Sequence, residues 1–428
     1  MTKRLLITLL LPMSIFAQSF LISTIPLPKT YIQNLDPYTC DEECLQDYLD
    51  KGMVFSFLAH SESKLSNSLL EDARVMNNSI LNIGSNIINA KIRVAMLLPY
   101  KKIGKYASTT TNAVFSYLIT KNNSFELKSY KIDSEDIMDI QNGLAQIQND
   151  GFNYVIAPMT VEGARNLISL NPSMNIYFPT VNKKDLNISL PNISFGAIDY
   201  ELQSDMLLKE AVAPLVIFSD NSPVGQKLSE YQKKSFQSRE IDSQEFEKKD
   251  IVDENGTVIR KAVSPTKVIQ YSISSRTTNL EYYLKENENI INASFFVDTP
   301  IVKSGMIISQ LTLYDANATN ILSAQTNYDP LILSMTQYTD RKNMIIANSI
   351  TEHNNFLIQT NAILDNDIEY DWINYSTTVG IDYIYHLLTN ADREYNIPLE
   401  DNQMIYNVEL IQPSLSKFIA YTPKSDND

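Results

Sequence analysis

Cysteine, histidine, glycine and tryptophan are all scarce: 428 residues carry 2 cysteines, 3 histidines, 11 glycines and 1 tryptophan. Each shortage removes a class of chemistry. Neither a G-x-G-x-x-G nor a G-x-x-x-x-G-K-[ST] stretch is present to cradle phosphates on backbone amides, and there is no G-x-S-x-G elbow and no H-E-x-x-H helix. His60, His353 and His386 are scattered, and His386 in "YIYHLL" reads as a satisfied helix residue. Nucleophilic and metal-assisted mechanisms therefore lack parts. Carboxylates are plentiful, but no spacing singles out a catalytic pair. The expectation is a protein that is not an enzyme and holds no cofactor or metal. Positive charge is short as well: 35 Lys and Arg against 50 Asp and Glu give a net charge of −15, which works against nucleic acid and anionic membrane as partners.

The chain opens "MTKRLLITLLLPMSIFAQSF", with Lys3 and Arg4 ahead of an apolar run from Leu5 to Ala17. The run is too short to span a bilayer comfortably, so residues 1–17 read as a signal peptide with Ala17 at the cleavage point. The apolar "FLISTIPLP" that follows keeps an uncleaved anchor open as the alternative. An exported chain meets an oxidising compartment, and Cys40 and Cys44 in "YTCDEECLQDYL" then form a short-range disulfide at a helix start.

Residues 18–90 read as a helical extension. Leu45, Tyr48, Leu49, Met53 and Phe57 recur at helical spacing, as do Leu65, Leu69, Ala73, Met76, Ile80, Ile83 and Ile87. The second set is a narrow stripe, suited to a seam with a partner or to packing within its own domain. From residue 91 strands alternate with helices, as in "KIRVAMLLPY", "SFELKSYKI", "YVIAPM" and "NIYFPTVN". This grammar predicts a parallel sheet with helices on both faces. It repeats after residue 200 with "PLVIFSD", "KVIQYSI" and "ASFFVDT", interrupted by a polar insertion to about 265 that reads as a loop or small hairpin. The boundaries expected are 91–200 with about 325–395 for a first lobe, and 201–324 with about 396–428 for a second. The fold class is α/β, two Rossmann-like lobes behind a helical segment.

In "RVAMLLPYKKIGKYA", Pro99 ends a buried strand, Gly104 permits a tight bend, and Lys101, Lys102 and Lys105 put charge at the rim of the crevice outside the strand ends. Lys183 and Lys184 follow another strand to the same rim. Solvated lysines are the ordinary alternative. Together with "GFNYVIAPMTVEGARNL", "ISFGAIDYELQSDMLLKEA" and "PLVIFSDNSPVGQKLSEY", this stretch resembles the type I periplasmic binding proteins, more narrowly the branch of the penicillin-binding-protein activators, over residues 91 to about 428. The resemblance implies two lobes joined by a three-stranded hinge, a binding cleft between them and no catalysis. By position it implies a cleft lined by Tyr100, Lys101, Gly104, Tyr106, Met159, Thr160, Asn182 and Lys183 from the first lobe, with Asp220, Asn221, Asp298 and Thr299 from the second. Amino-acid binders of the family usually place small hydroxyl residues and glycines where this chain has Tyr100, lysines and Met159, which speaks against a tight amino-acid pocket.

Two functions follow as expectations. One is an exported, periplasmic adaptor or activator that docks another cell-envelope protein; the other is a solute-binding protein holding a small anionic ligand for a transporter or receptor. Asn187 in "DLNIS", Asn255 in "DENGT" and Asn317 in "DANAT" fit the extended pattern [DE]-x-N-x-[ST] and are candidate glycosylation sites.

Overall fold

The computed structural model describes residues 32–35, 38–61, 63–81, 83, 92–121, 123–186, 190–239, 251–252, 258–260 and 264–423. The chain forms two compact units, Met1–Val94 with Asn122–Lys128, and Ala95–Lys121 with Ser129–Asp428. No helix among the described residues is long and apolar enough to cross a membrane.

In the first unit, helices Glu42–Asp50, Val54–His60 and Ser68–Ile80 close on Leu45, Phe57, Leu58 and Leu70. The side chain of Asp41 accepts from the Cys44 N–H at 3.0 Å, and Glu42 and Glu43 face the positive end of the helix dipole. The Cys40–Cys44 disulfide forms across this cap. The periodicity from Leu45 to Phe57 reads as one helix but is two. Gly52 at φ 71° supplies a left-handed residue. The Met53 N–H then reaches the Tyr48 carbonyl at 2.8 Å and the Gly52 N–H that of Leu49 at 3.0 Å, the paired bonds of a Schellman stop. The expected stripe is also turned. Leu70, one residue off it, enters the core with Ala73 alongside, while Leu69, Met76 and Ile80 stay exposed.

After the N-terminal helices the chain builds two mixed sheets. The strands of the first are β1 (Ile92–Pro99), β2 (Phe125–Ile132), β3 (Tyr154–Ile156), β4 (Asn175–Phe178) and β5 (Ile193–Phe195). The insertion adds a separate antiparallel pair, β7 (Ile251–Val252) and β8 (Val258–Arg260). The second sheet uses β6 (Leu215–Ser219), β9 (Val268–Ser272), β10 (Ser294–Asp298), β11 (Asn320–Ser323) and β12 (Met344–Asn348). Then β13 (Leu399–Glu400) and β14 (Gln403–Met404) return to the first sheet, and β15 (Glu409–Pro413) and β16 (Phe418–Ala420) close the second. The orders are β13-β14-β5-β4-β3-β1-β2 and β16-β15-β12-β11-β10-β6-β9. The runs β1, β6, β10 and β12 are buried almost throughout, as two helix-covered faces require.

These orders correct the expected boundaries. Residues 325–348 belong to the second lobe, because β12 pairs in parallel with β11 and both are needed to extend from β10. The first lobe instead takes 355–404: helices Asn355–Ile363 and Trp372–Thr389 pack on helix Tyr106–Ile119, and β14 pairs with β5. The chain therefore crosses between lobes at 196–199, 349–354 and 405–408. Tyr406 Oη donates to the Gly196 carbonyl at 2.7 Å, and Gln403 Nε2 to that of Ala197 at 3.0 Å, so two crossovers are tied together. A buried amide chain pins the third. Gln203 Nε2 donates to Ser349 Oγ at 2.6 Å, and the Ser349 N–H donates to Gln325 Oε1 at 2.6 Å.

An isolated fragment of residues 92–200 lacks β14 and the helix Trp372–Thr389 that covers one of its faces. It is expected to bind a hydrophobic dye and to melt without a cooperative transition; a sharp thermal transition would contradict this account of the lobe. Asn187 and Asn255 lie outside the described residues. Asn317 is exposed at φ 47° in the turn after helix Ile301–Leu313, and the hydroxyl of Thr319 in the same sequon donates to the Asn292 carbonyl at 2.7 Å.

Candidate functional site

Three loops at the carboxyl end of the first sheet converge on the cleft. After β1, Pro99 ends the strand, Tyr100–Ile103 makes one helical turn, and Gly104 takes φ 57°, ψ −124° before helix Tyr106–Ile119 begins. A side chain at that φ is strained, so the glycine sets the bend. After β3, Thr160 caps helix Val161–Ser169. Its N–H donates to Glu135 Oε1 at 2.8 Å and its hydroxyl donates to Glu135 Oε2. An internal carboxylate thus occupies the donors that a ligand anion would use, and the seat is tight: a Cβ on Gly163 would lie 2.5 Å from the Glu135 carboxyl carbon. After β4, Asn182 Nδ2 donates to the carbonyls of Ala197 and Ile198 at 3.2 and 3.4 Å, binding the loop to a crossover.

Between the lobes lies a cavity of about 260 Å³. Val161, Thr180, Asn182, Lys184 and Asp185 line it from the first lobe, Tyr200, Pro223, Val224, Lys227, Leu228 and Tyr231 from the second, with Ile198, Asp199 and Trp372 completing the wall. Most of that wall is apolar or aromatic, and its charges are paired with one another. Lys184 Nζ binds Asp199; Lys227 Nζ crosses the cleft to Asp185 and stands 3.9 Å from Glu201. Aromatic rings bridge the lobes twice more. Tyr200 meets Trp372 edge to face at 6.1 Å, and Tyr370 sits 5.1 Å from Tyr328 and 6.3 Å from Phe418. Burial pushes the Tyr200 hydroxyl up to about 12. Asp371, which caps helix Trp372–Thr389, is raised by burial, and Tyr106 beside it is raised by burial and by the Asp371 charge.

No known family and no curated protein matches the sequence. Solved structures do match the fold. A leucine-binding protein from Thermotoga maritima aligns with a TM-score of 0.52 at 12% identity, over 77% of this chain and 98% of its own. A putative branched-chain amino acid ABC transporter protein from Rhodospirillum rubrum gives 0.55 at 8% identity, over 77% and 99%. The fold is that of the type I periplasmic binding proteins. The C-domain of LpoA from Haemophilus influenzae, described as a regulator of PBP1A, also stands among the neighbours, with a TM-score of 0.49 at 9% identity over 77% of this chain and all (100%) of its own.

On this binding-protein fold the predicted site residues divide. Asn182 lines the cavity. Tyr106 is not part of the cavity wall and stands near Asp371, while Tyr100, Lys101 and Lys102 stay exposed outside that wall. Tyr100 Oη donates to Asp133 at 3.1 Å, and Lys101 Nζ lies 3.0 Å from the same carboxylate, which is thereby lowered. Met159 is buried behind the wall, its N–H donating to Thr180 Oγ1 at 3.0 Å. Lys183 turns away to Asp401 at 2.5 Å, and its neighbour Lys184 enters the cavity instead. Asp220 accepts from the Ser222 N–H and hydroxyl at 3.1 and 2.5 Å, Asn221 accepts from Ser272, and Thr299 bonds Ser304 at 2.8 Å, so all three are committed to the second lobe's own structure. Asp298 is buried at the end of β10. Glu135, Lys227, Tyr200 and Trp372 were not singled out in the sequence; the lone tryptophan at a helix start was the one available cue.

Proposed function

We propose that this chain is a non-catalytic, exported adaptor on a binding-protein fold, one that docks another cell-envelope protein instead of carrying a solute. The observation that carries the reading is that the cleft is occupied and bridged by the protein's own side chains. Glu135 fills the anion donors at Thr160, and Lys227–Asp185 with Tyr200–Trp372 hold the lobes together. Most of the basic rim is paired too, since Lys101, Lys105, Lys183 and Lys184 each face a carboxylate and Lys102 is the one rim lysine for which no ion pair is seen among the described residues. A small anion finds little positive charge there to bind. The solute-binding alternative keeps one observation on its side, the apolar wall of the cavity, which suits an uncharged solute better than an anionic one.

A thermal-shift screen against amino acids, organic acids and peptidoglycan fragments separates the two. A ligand at a hundred times its Kd stabilises the folded state by about 2.7 kcal/mol, a shift of several degrees. The adaptor reading expects no such shift, together with one envelope protein that co-elutes in stoichiometric amount through size exclusion. A saturable shift with any of these compounds would overturn it.

A further inference from the structure

A second cavity, of about 70 Å³, opens at the far end of the first lobe from the cleft, where the amino ends of β3, β4 and β5 meet the last turns of helix Trp372–Thr389. No charged side chain lines it. Its wall combines three tyrosines, Tyr154, Tyr177 and Tyr383, with carboxamides that include those of Asn192 and Asn402.

Those two carboxamides are held in one orientation. Asn192 Nδ2 donates to the carbonyls of Pro172 and Met174 at 2.7 and 2.8 Å. Only the nitrogen can serve two carbonyls, so the other end is the oxygen. Asn402 sits at φ 63° in the two-residue turn between β13 and β14. Its Nδ2 donates to the Leu190 carbonyl at 2.9 Å, and its own carbonyl accepts from the Phe195 N–H at 2.8 Å. Neither Oδ1 accepts a hydrogen bond among the described residues, and the hydroxyls of Tyr154 and Tyr383 have no partner there either. The cavity therefore presents preplaced oxygens and aromatic rings without a carboxylate or a cation.

This combination selects an ammonium group. A carboxylate or phosphate meets no cation in the wall, and a purely aliphatic group leaves the oxygens unpaired. An ammonium gives its N–H donors to the oxygens and its charge to the rings. Helix Trp372–Thr389 ends two residues after the lining residue Leu387, so the negative end of its dipole adds to the attraction. Arg393 stands 5.6 Å from the centre of the Tyr383 ring, but it is not part of the wall and its charge is paired with Asp382 at 3.0 Å. Leu387 is 47% exposed, so a bound ammonium keeps part of its hydration. The volume is far below the roughly 300 Å³ at which pockets for whole ligands begin, which suits the end of a chain. We propose that this cavity is a socket for the alkylammonium end of a lysine side chain borne by a partner protein. The choice of a partner's lysine over a free amine rests on the adaptor reading and on the net charge of −15, which draws a basic surface.

The test is a methyl-TROSY titration of the full chain, labelled at isoleucine and leucine methyls, with n-butylammonium chloride and in parallel with n-butanol. Saturable shifts are expected at the lining residues Ile176, Ile384 and Leu387 with butylammonium and not with butanol. An equal response to both compounds, or shifts confined to other residues, would overturn the site. Tyr383→Leu should weaken butylammonium about fivefold or more by removing one ring, and an unchanged affinity rejects the socket. Should Y383L fail to fold, Leu387→Lys at the exposed position replaces it, and its like charge must weaken butylammonium by a similar factor. A capped Gly-Lys-Gly peptide separates the sources: binding as tight as that of butylammonium supports a protein-borne lysine, and exclusion of the peptide overturns it in favour of a free amine. The adaptor reading is judged apart from this. An envelope partner whose co-elution is indifferent to both Y383L and butylammonium leaves that reading standing and overturns this one; if no partner co-elutes, the adaptor reading falls and the titrations still decide the socket.

Discussion

Asp382→Ala is expected to cost about 3 kcal/mol, because it strands a partly buried cation and three other donors. The Asp382 side chain is fully buried, 0% exposed, in helix Trp372–Thr389. It accepts from Tyr117 Oη at 2.9 Å, from Arg393 Nε at 3.0 Å, and from the N–H groups of Glu394 and Tyr395 at 2.8 and 3.4 Å. It therefore joins helix Tyr106–Ile119, its own helix and the segment that leads to β13. A urea titration followed by far-ultraviolet dichroism reads the loss as a lowered midpoint. Replacing Asp382 and Arg393 together by leucine and methionine should cost less than D382A, since no unpaired charge is then left inside. A D382A midpoint within error of the native one would show that the network contributes nothing.

Gly380→Ala is expected to cost about 3 kcal/mol although alanine is the better helix former, because the new Cβ would lie 2.0 Å from Cε1 of Tyr177. Tyr177 has nowhere to go. It is 2% exposed, its hydroxyl donates to the Ser376 carbonyl at 2.8 Å, and a Cβ on Gly196 would meet that hydroxyl at 1.9 Å. Two glycines, one in a helix and one in a crossover, thus bracket one ring. Tyr177→Phe leaves the crowded ring carbon in place and should not rescue G380A, whereas Tyr177→Leu should restore most of the midpoint. Rescue by the phenylalanine instead would locate the strain at the hydroxyl.

Most of the framework was legible because its signals are local. The apolar runs of β1, β6, β10 and β12 announce buried strands, and capping residues such as Thr160 and Ser222 announce helix starts. What was illegible is decided across the chain. A two-residue strand such as β14 carries no signal of its own and is defined by the edge of β5 and by β13, one of them about 200 residues away in sequence. Lys183 and Lys184 are indistinguishable in sequence; Asp401 claims one and Asp199 the other, and that choice decides which lysine enters the cavity. Glu135 reads as a first-turn helix acid, yet the helix starts at Ile137 and the carboxylate goes to Thr160, 25 residues away. The lobe boundary failed for a similar reason: "NILS" is too short and too mixed to declare itself as β11.

The pairing of β14 beside β5, where the Phe195 N–H donates to the Asn402 carbonyl at 2.8 Å, bears on how the chain is made. Synthesis delivers about 5–20 residues each second, so the roughly 200 residues between these partners take about 10–40 s to appear. Throughout that wait β5 offers an open edge, with Phe178 and Phe195 stacked beneath it at 5.8 Å. A chain in that condition is a substrate for holding chaperones, and the arrival of the segment around β14, not the emergence of the first five strands, is what lets the first sheet be completed.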